Sequence, residues 1–386
     1  MKMDNNQKQW QIWTSLENEK RQEKSIQELY NQGYSAYKGA DYMYAAELFH
    51  AAAELAKRQT NQAERCKNLA WEASCLLMTN QYKKALSVTL LAENIGAFDP
   101  VSRFYNLIHL LDASMHLSLP FAELKKLIEK LEPYKTVQEI GASKSIVLYW
   151  EAVLFNHQGD NHTAILRIQE ALACQQDGNP GYPNSVYYNN LIDYYRFTNQ
   201  LLEARQTLMR WKETSQFKFA DEKARQIQAD GRLSYDEGNL EAAWDAFQCA
   251  YAEERYIGLA GKRINTLYWL VKIGAETGRF FEVRPYLRAL AAFRHSESVY
   301  TRYMCCDSFF YYYYSLLKAM QRSGSECQDN LTAYPCNIIA ARNRAERWLN
   351  RTEFYGKESD SLQNVSWRKK YIQKMKAEIK VLMETK

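Results

Sequence analysis

The sequence has few of the residues that interrupt helices. Its 386 residues include only 15 glycines and 7 prolines, too few turn-formers for most all-β architectures. Long hydrophobic runs are also missing. No apolar stretch approaches the roughly 18 residues that span a bilayer, so no membrane partner is expected. The opening MKMDNNQKQWQIWTSLENEK lacks the apolar core of a secretory signal, and a cytoplasmic location is the expectation. Eight cysteines, at 66, 75, 174, 249, 305, 306, 327 and 336, form no C-x-x-C pair. That removes the zinc and thioredoxin-like signatures and leaves reduced thiols packing as small hydrophobes. A large excess of one charge is absent too. Fifty Lys and Arg against 45 Asp and Glu leave a formal +5, well short of a dedicated nucleic-acid binder. Only the final WRKKYIQKMKAEIKVLMETK is clearly basic.

Catalytic signatures are equally scarce. There is no H-E-x-x-H, G-x-x-x-x-G-K, G-x-G-x-x-G or G-x-S-x-G. His157 and His162 flank the turn HQGDNH, where an exposed turn accounts for them. Cys305 and Cys306 are adjacent, so on a helix their side chains diverge by about 100° and share no site. The expectation is a protein that is not an enzyme and needs no cofactor and no metal.

What is present is a repeat. The segments GADYMYAAELFHAAAELAK, TNQYKKALSVTLLAENI, QGDNHTAILRIQEALACQ, TNQLLEARQTLMRWKE, EGNLEAAWDAFQCAYAEE and TGRFFEVRPYLRALAAF share a pattern. Each opens on a turn-former and continues with apolar residues at i, i+4 and i+7, one face of a helix. The first apolar position falls at Ala45, Ala85, Leu124, Ala164, Ala204, Ala243 and Val283, with successive gaps of 40, 39, 40, 40, 39 and 40. Twelve residues earlier lies the middle of a preceding helix, at Gly33, Ala73, Asp112, Ala152, Ile192, Gly231 and Val271. Each unit therefore reads as two antiparallel helices, A and B. Gly159, Gly238, Gly278, Asn80 and Asn199 are placed to end helix A.

These residues resemble the tetratricopeptide (TPR) repeat. The small residue in helix A, the turn Gly or Asn, and the runs Ala45-Phe49-Ala52 and Ala243-Phe247-Ala250 carry the likeness from about Ser25 to Phe293. The period is 39–40 where the family has 34, and Leu29, Leu69, Tyr188 or Ile227 stands where the family has an early Trp. The resemblance implies an all-α fold, an α-solenoid of about eight antiparallel helical hairpins in a TPR-like superhelix, closed by a C-terminal capping helix. One hairpin cannot cover both of its apolar faces, so units stack on one another.

The expected organisation is a capping or docking helix over 1–24, with Trp10, Trp13 and Leu16 at helical spacing, and seven repeats over 25–296. An eighth, irregular hairpin over 297–352 follows, with a long loop at 322–335. A basic capping helix over 353–386 ends the chain on the stripe Ile372, Met375, Ile379 and Leu382. The aromatic run FFYYYY, Phe309–Tyr314, falls on the eighth A helix despite its strand propensity. Forty residues beyond Val271 lies Tyr311. Phe310, Tyr311 and Tyr314 are expected in the core and Tyr312 on the groove side. Phe309 and Tyr313 need cover from neighbouring elements.

Function in such arrays is expected on the concave surface lined by A helices. The residues beside the core stripe there are Tyr30, Tyr34, Tyr37 and Lys38; Tyr149, Asn156 and His157; Asn189, Asp193 and Arg196; Arg225, Gln228, Arg232 and Tyr235; and Asn265, Tyr268 and Lys272. Asn can grip backbone amides and Arg or Lys can pair with carboxylates. Repeat one has Tyr30 and Tyr34 where the TPR clamp for a C-terminal carboxylate needs Lys and Asn, so no receptor of that kind is expected. The reading is a non-enzymatic scaffold or adaptor subunit that binds a protein or an extended peptide. Two other readings stay open. One is a peptide-sensing bacterial regulator, although repeats starting near Ser25 leave no room for an N-terminal effector domain. The other is a nucleic-acid-associated subunit that uses the basic groove and C-terminal helix. Oligomeric state leaves no trace in the sequence.

Overall fold

The computed structural model describes residues 25–137, 139–174, 184–214, 221–257, 263–323, 338–358 and 365–384. The helix expected over 1–24 and nearly all of the loop expected over 322–335 lie outside the described residues. The described residues are all-α, without a strand. The odd-numbered helices from α1 to α15 are the A helices of the hairpins. They are α1 Ile26–Lys38, α3 Gln62–Met78, α5 Pro100–His116, α7 Ser143–Gln158, α9 Asn184–Phe197, α11 Glu222–Asp236, α13 Ile264–Glu276 and α15 Val299–Ser323. The B helices are α2 Tyr42–Arg58, α4 Tyr82–Ile95, α6 Phe121–Leu131, α8 Asn161–Cys174, α10 Leu201–Thr214, α12 Leu240–Ile257 and α14 Arg284–Ala291. Helices α16 Ile338–Glu358 and α17 Val365–Glu384 follow.

The repeat register is the core register. Ala45, Ala85, Leu124, Ala164, Ala204, Ala243 and Val283 are all 0 % exposed, so the seven positions that mark the period are the positions where A and B helices meet. The turns are built alike. Asn80, Asn199, Gly159, Gly238 and Gly278 take positive φ between 59° and 85°. A backbone bond then spans five residues, as from Asp160 N–H to the Phe155 carbonyl at 3.0 Å and Asn239 N–H to the Ser234 carbonyl at 2.8 Å, closing helix A in the Schellman manner. The next residue caps helix B. Asp41, Asp160 and Asn239 accept from the backbone N–H three residues on, at 3.3, 3.0 and 3.1 Å. Ala40, Thr60 and Ser118 make the same left-handed turn without glycine or asparagine.

The chain divides into two compact units. Among the described residues, the first holds those up to Thr79 together with Lys84–His109, and the second holds Asn80–Lys83 together with those from Leu110 onwards. In the first, Gly33 on α1 lets the Phe49 ring of α2 approach so closely that a Cβ there would stand 3.0 Å from it. Phe49 stacks in turn on Trp71 of α3, centroids 5.5 Å apart. In the second, apolar clusters run from α7 to α17.

Helix α15, which carries the aromatic run, is buried on two faces. Met304, Cys305, Tyr312 and Leu316 join the cluster of α12–α14, whereas Cys306, Phe310 and Tyr314 join Trp348, Ile372, Met375 and Ile379 of α16 and α17. The two adjacent cysteines thus point into different cores. Burial pushes the Cys305 thiol up to about 12 and that of Cys306 to about 11, which keeps both protonated and inert. Phe309 stacks on Trp348 at 4.5 Å, and the Arg344 guanidinium lies 5.4 Å from the Tyr313 ring. Two side chains differ from the sequence reading. Tyr312, expected on the groove, is buried against Phe280, and Tyr311, expected in the core, stands on the A-helix face beside Lys272. Helix α14 is short and ends in the 3-10 turn Ala292–His295, so the 40-residue count falls one residue short in α15. One residue turns a helix side chain by about 100°.

Candidate partner-binding site

In the second unit the predicted residues on successive A helices are tied to one another. Arg232 on α11 reaches back to α9, its guanidinium donating to Asp193 at 2.8 Å and to Asn189 at 2.7 Å. Arg196 on α9 reaches forward to Asp236 on α11 at 2.6 Å and also holds Asp193 at 2.8 Å. The Tyr235 hydroxyl donates to Glu276 on α13 at 2.8 Å, and the Tyr268 hydroxyl to Asp307 on α15 at 3.1 Å. These partners are separated by 39 to 43 residues, which is the repeat period itself. A side chain at one position of helix A therefore meets the matching position of the next A helix. The result is a polar ladder across α9, α11, α13 and α15.

The ladder is largely enclosed. Arg232 is 6 % exposed and Gln228 is 7 % exposed. Gln228, read from sequence as a partner contact, donates its amide to Glu254 at 2.6 Å and to Thr266 at 2.8 Å, so it forms the wall of the groove. Arg225 is held by Asp221 one turn away, at 2.6 Å. Lys272 is different. Its ammonium lies 4.7 Å from the Tyr235 ring centroid, 4.9 Å from Trp269 and 5.2 Å from Tyr311. Burial pushes it below the usual lysine range, although Glu276, Asp307 and Asp236 pull the other way. Asn265 is exposed.

The remaining predicted residues stand elsewhere. Tyr149 packs edge-on against Trp150 and Tyr187, and burial raises its hydroxyl to about 12. Asn156 donates to Asn161 at 2.6 Å and so serves its own hairpin turn. In the first unit Tyr30, Tyr34 and Tyr37 surround the Trp71 indole, with centroids at 6.3, 5.4 and 5.3 Å. Lys38 lies over Tyr34 at 4.5 Å. Sequence reasoning missed Trp71, Trp269, Asp236, Glu276 and Asp307. The two tryptophans carried a signal, since each follows a helix B phenylalanine, Phe49 or Phe247, by 22 residues.

Among the described residues no group of three or more His, Cys, Asp or Glu side chains is placed to hold a metal, and no helix is long and apolar enough to cross a membrane.

No protein-family model matches the sequence. No curated protein matches it either. Among solved structures the chain is similar to the Rap protein in a crystal structure of Rap complexed with Competence and Sporulation Factor. Identity is 12 %, 92 % of this chain and 99 % of that chain are covered, and the TM-score is 0.53. At that identity the likeness concerns the fold, which is a TPR-like array of helical hairpins. A second structure, Naa15/Naa10 bound to HypK-THB, aligns at 15 % identity over 92 % of this chain and 51 % of that chain, about half its length, with a TM-score of 0.27.

Proposed function

Taking the TPR-like fold as premise, we propose that this chain is a non-enzymatic scaffold or adaptor, cytoplasmic in location. It binds a protein or an extended peptide on the A-helix face of α9, α11, α13 and α15. The ladder of bonds between successive A helices carries this reading. It holds Tyr235, Tyr268 and the Arg196 and Arg232 guanidiniums in fixed positions, and side chains already ordered lose less entropy when a partner docks. The face also displays tyrosine, tryptophan and lysine around Lys272, and aromatic residues dominate binding hot spots.

Two features narrow the partner. The similar Rap structure is a complex with Competence and Sporulation Factor, which favours the peptide-sensing reading among those open to a TPR-like fold. The groove arginines are each engaged by carboxylates of this chain. A phosphate backbone would have to displace those partners, which disfavours nucleic acid.

The test is co-purification of the tagged full chain with mass spectrometry, repeated for Trp269→Ala. A stoichiometric protein or peptide retained by the wild type and lost from the variant is expected. Recovery of no stoichiometric protein or peptide would sink the proposal. A salt titration against mixed-sequence nucleic acid checks the rival, because phosphate contacts give a steep dependence on salt.

A further inference from the structure

Of the four Lys and Arg side chains predicted on the groove face of the second unit, three are already satisfied. Arg196 holds Asp193 and Asp236, Arg232 holds Asp193, and Arg225 holds Asp221. Lys272 is the exception. Among the described residues no carboxylate lies within 4.0 Å of its ammonium and no acceptor takes its hydrogens. Its neighbours are the faces of Tyr235, Trp269 and Tyr311, drawn from α11, α13 and α15. Ring faces attract a cation, but they leave three N–H donors without an oxygen. Lys272 is half-buried, so its ammonium reaches the surface of the groove, where a ligand oxyanion can take the donors that the rings leave open.

Carboxylates of the chain stand nearby without closing on Lys272. Both oxygens of Glu276 accept from the Tyr235 hydroxyl, Asp307 accepts from Tyr268, and Asp236 accepts from Arg196. They restrict what can arrive. A run of acidic residues laid along this stretch would meet Glu276, Asp307 and Asp236 and be repelled. A single carboxylate set on Lys272, with neutral or basic residues beside it, would not.

We propose that Lys272 is the anchor for one carboxylate of the bound peptide, flanked there by non-acidic residues. This rests on the peptide-binding reading of the A-helix face. The carboxylate comes from an Asp or Glu side chain or from a C-terminus, and the experiment separates these sources. The full chain is used to capture peptides from two random nonapeptide libraries, and captured peptides are sequenced by mass spectrometry. One library is C-terminally amidated and contains Asp and Glu. The other has free C-termini and lacks both residues. The wild type is compared with Lys272→Met, Lys272→Gln and the control Lys212→Met, a lysine of α10 paired with Asp230.

Wild type and Lys212→Met should retain peptides with one acidic residue, or, from the second library, peptides with a free terminus. Both Lys272 variants should lose that enrichment at least about tenfold, with helix content unchanged by circular dichroism. Equal acid content in the wild-type and Lys272-variant pools of the first library, together with equal capture from the second, overturns the assignment and leaves peptide binding standing, as does preferential capture of polyacidic peptides. Capture of no peptide by the wild type overturns both readings.

Discussion

Repeats one and six are built on the same three residues and present opposite chemistry. Gly33, Phe49 and Trp71 recur at identical spacing as Gly231, Phe247 and Trp269. In each, a Cβ on the glycine would stand about 3 Å from the phenylalanine ring, at 3.0 and 2.9 Å. The ring stacks on the tryptophan of the next A helix at 5.5 and 5.6 Å. A tyrosine from the preceding A helix meets that indole edge-on, Tyr37 at 5.3 Å and Tyr235 at 5.0 Å. Around this shared frame the surface differs. Tyr30 and Tyr34 of repeat one, with Ser74 on the next A helix, stand where Gln228 and Arg232 of repeat six, with Lys272 on the next A helix, stand. The frame is set by packing, and the face is open to change because it lies beside the core stripe.

If the frame is common, breaking it should cost the same in both places. Phe49→Ala and Phe247→Ala each remove a ring that is 0 % exposed, and each should lose about 3–5 kcal/mol of local stability. Hydrogen exchange over 42–78 and over 240–276 reads the two losses separately. A loss in one repeat but not in the other would break the equivalence. The faces should then diverge. Arg232→Met leaves Asp193 with only Arg196 and should cost about 2 kcal/mol. Tyr34→Met, at the matching position, removes only ring contacts and should cost below about 1 kcal/mol. Equal losses would mean that the polar ladder adds nothing to the stability of its repeats.

The glycines give a finer comparison. Alanine gains about 1 kcal/mol of helix propensity over glycine, which partly offsets a clash. At Gly33 the nearest atoms to the added methyl all belong to the Phe49 ring, at 3.0 to 3.2 Å. At Gly231 it meets Phe247 at 2.9 Å and Ala246 at 3.2 Å, two sides at once. Gly231→Ala should therefore lose about 1 kcal/mol and Gly33→Ala about half of that. Thermal melts of the two variants check the order.

The frame was legible because packing repeats. A period of 39–40 residues is an average over seven hairpins, so one irregular position cannot hide it, and all seven markers are fully buried. The face was legible in position but not in use. Asn189, Asp193, Arg196, Arg232, Tyr235, Tyr268 and Lys272 do come together. Nothing in a single repeat shows, however, that Arg232 will be taken by Asp193 of the repeat before it. That bond spans 39 residues and depends on the angle at which hairpins stack. The Tyr311 and Tyr312 exchange has a similar origin, since the short α14 shifts the count by one residue. Trp269 was missed because it sits between the core and groove stripes and belongs to both.

A further difference concerns acid. In the first unit His109 on α5 is buried enough to bring its imidazole from 6.5 down to about 4. The folded state therefore refuses a proton that the unfolded chain accepts. Stability from this group is complete above about pH 6.5 and is lost as the pH falls towards 4. In the second unit Asp230 also resists protonation. Burial alone would raise its carboxyl, but Lys212 and Arg205 hold it below its ordinary 3.8. Its contribution is kept above that value and lost only as the pH falls through the lower folded value. Acid should thus loosen the first unit before this group affects the second. At pH 5.5 the His109 term amounts to about 1 kcal/mol, and at pH 8 it is absent. His109→Gln removes it, so the difference between wild type and variant in hydrogen exchange over 84–109 should change between pH 8 and 5.5. A difference that stays constant across that range would show that the imidazole is not held neutral by the fold.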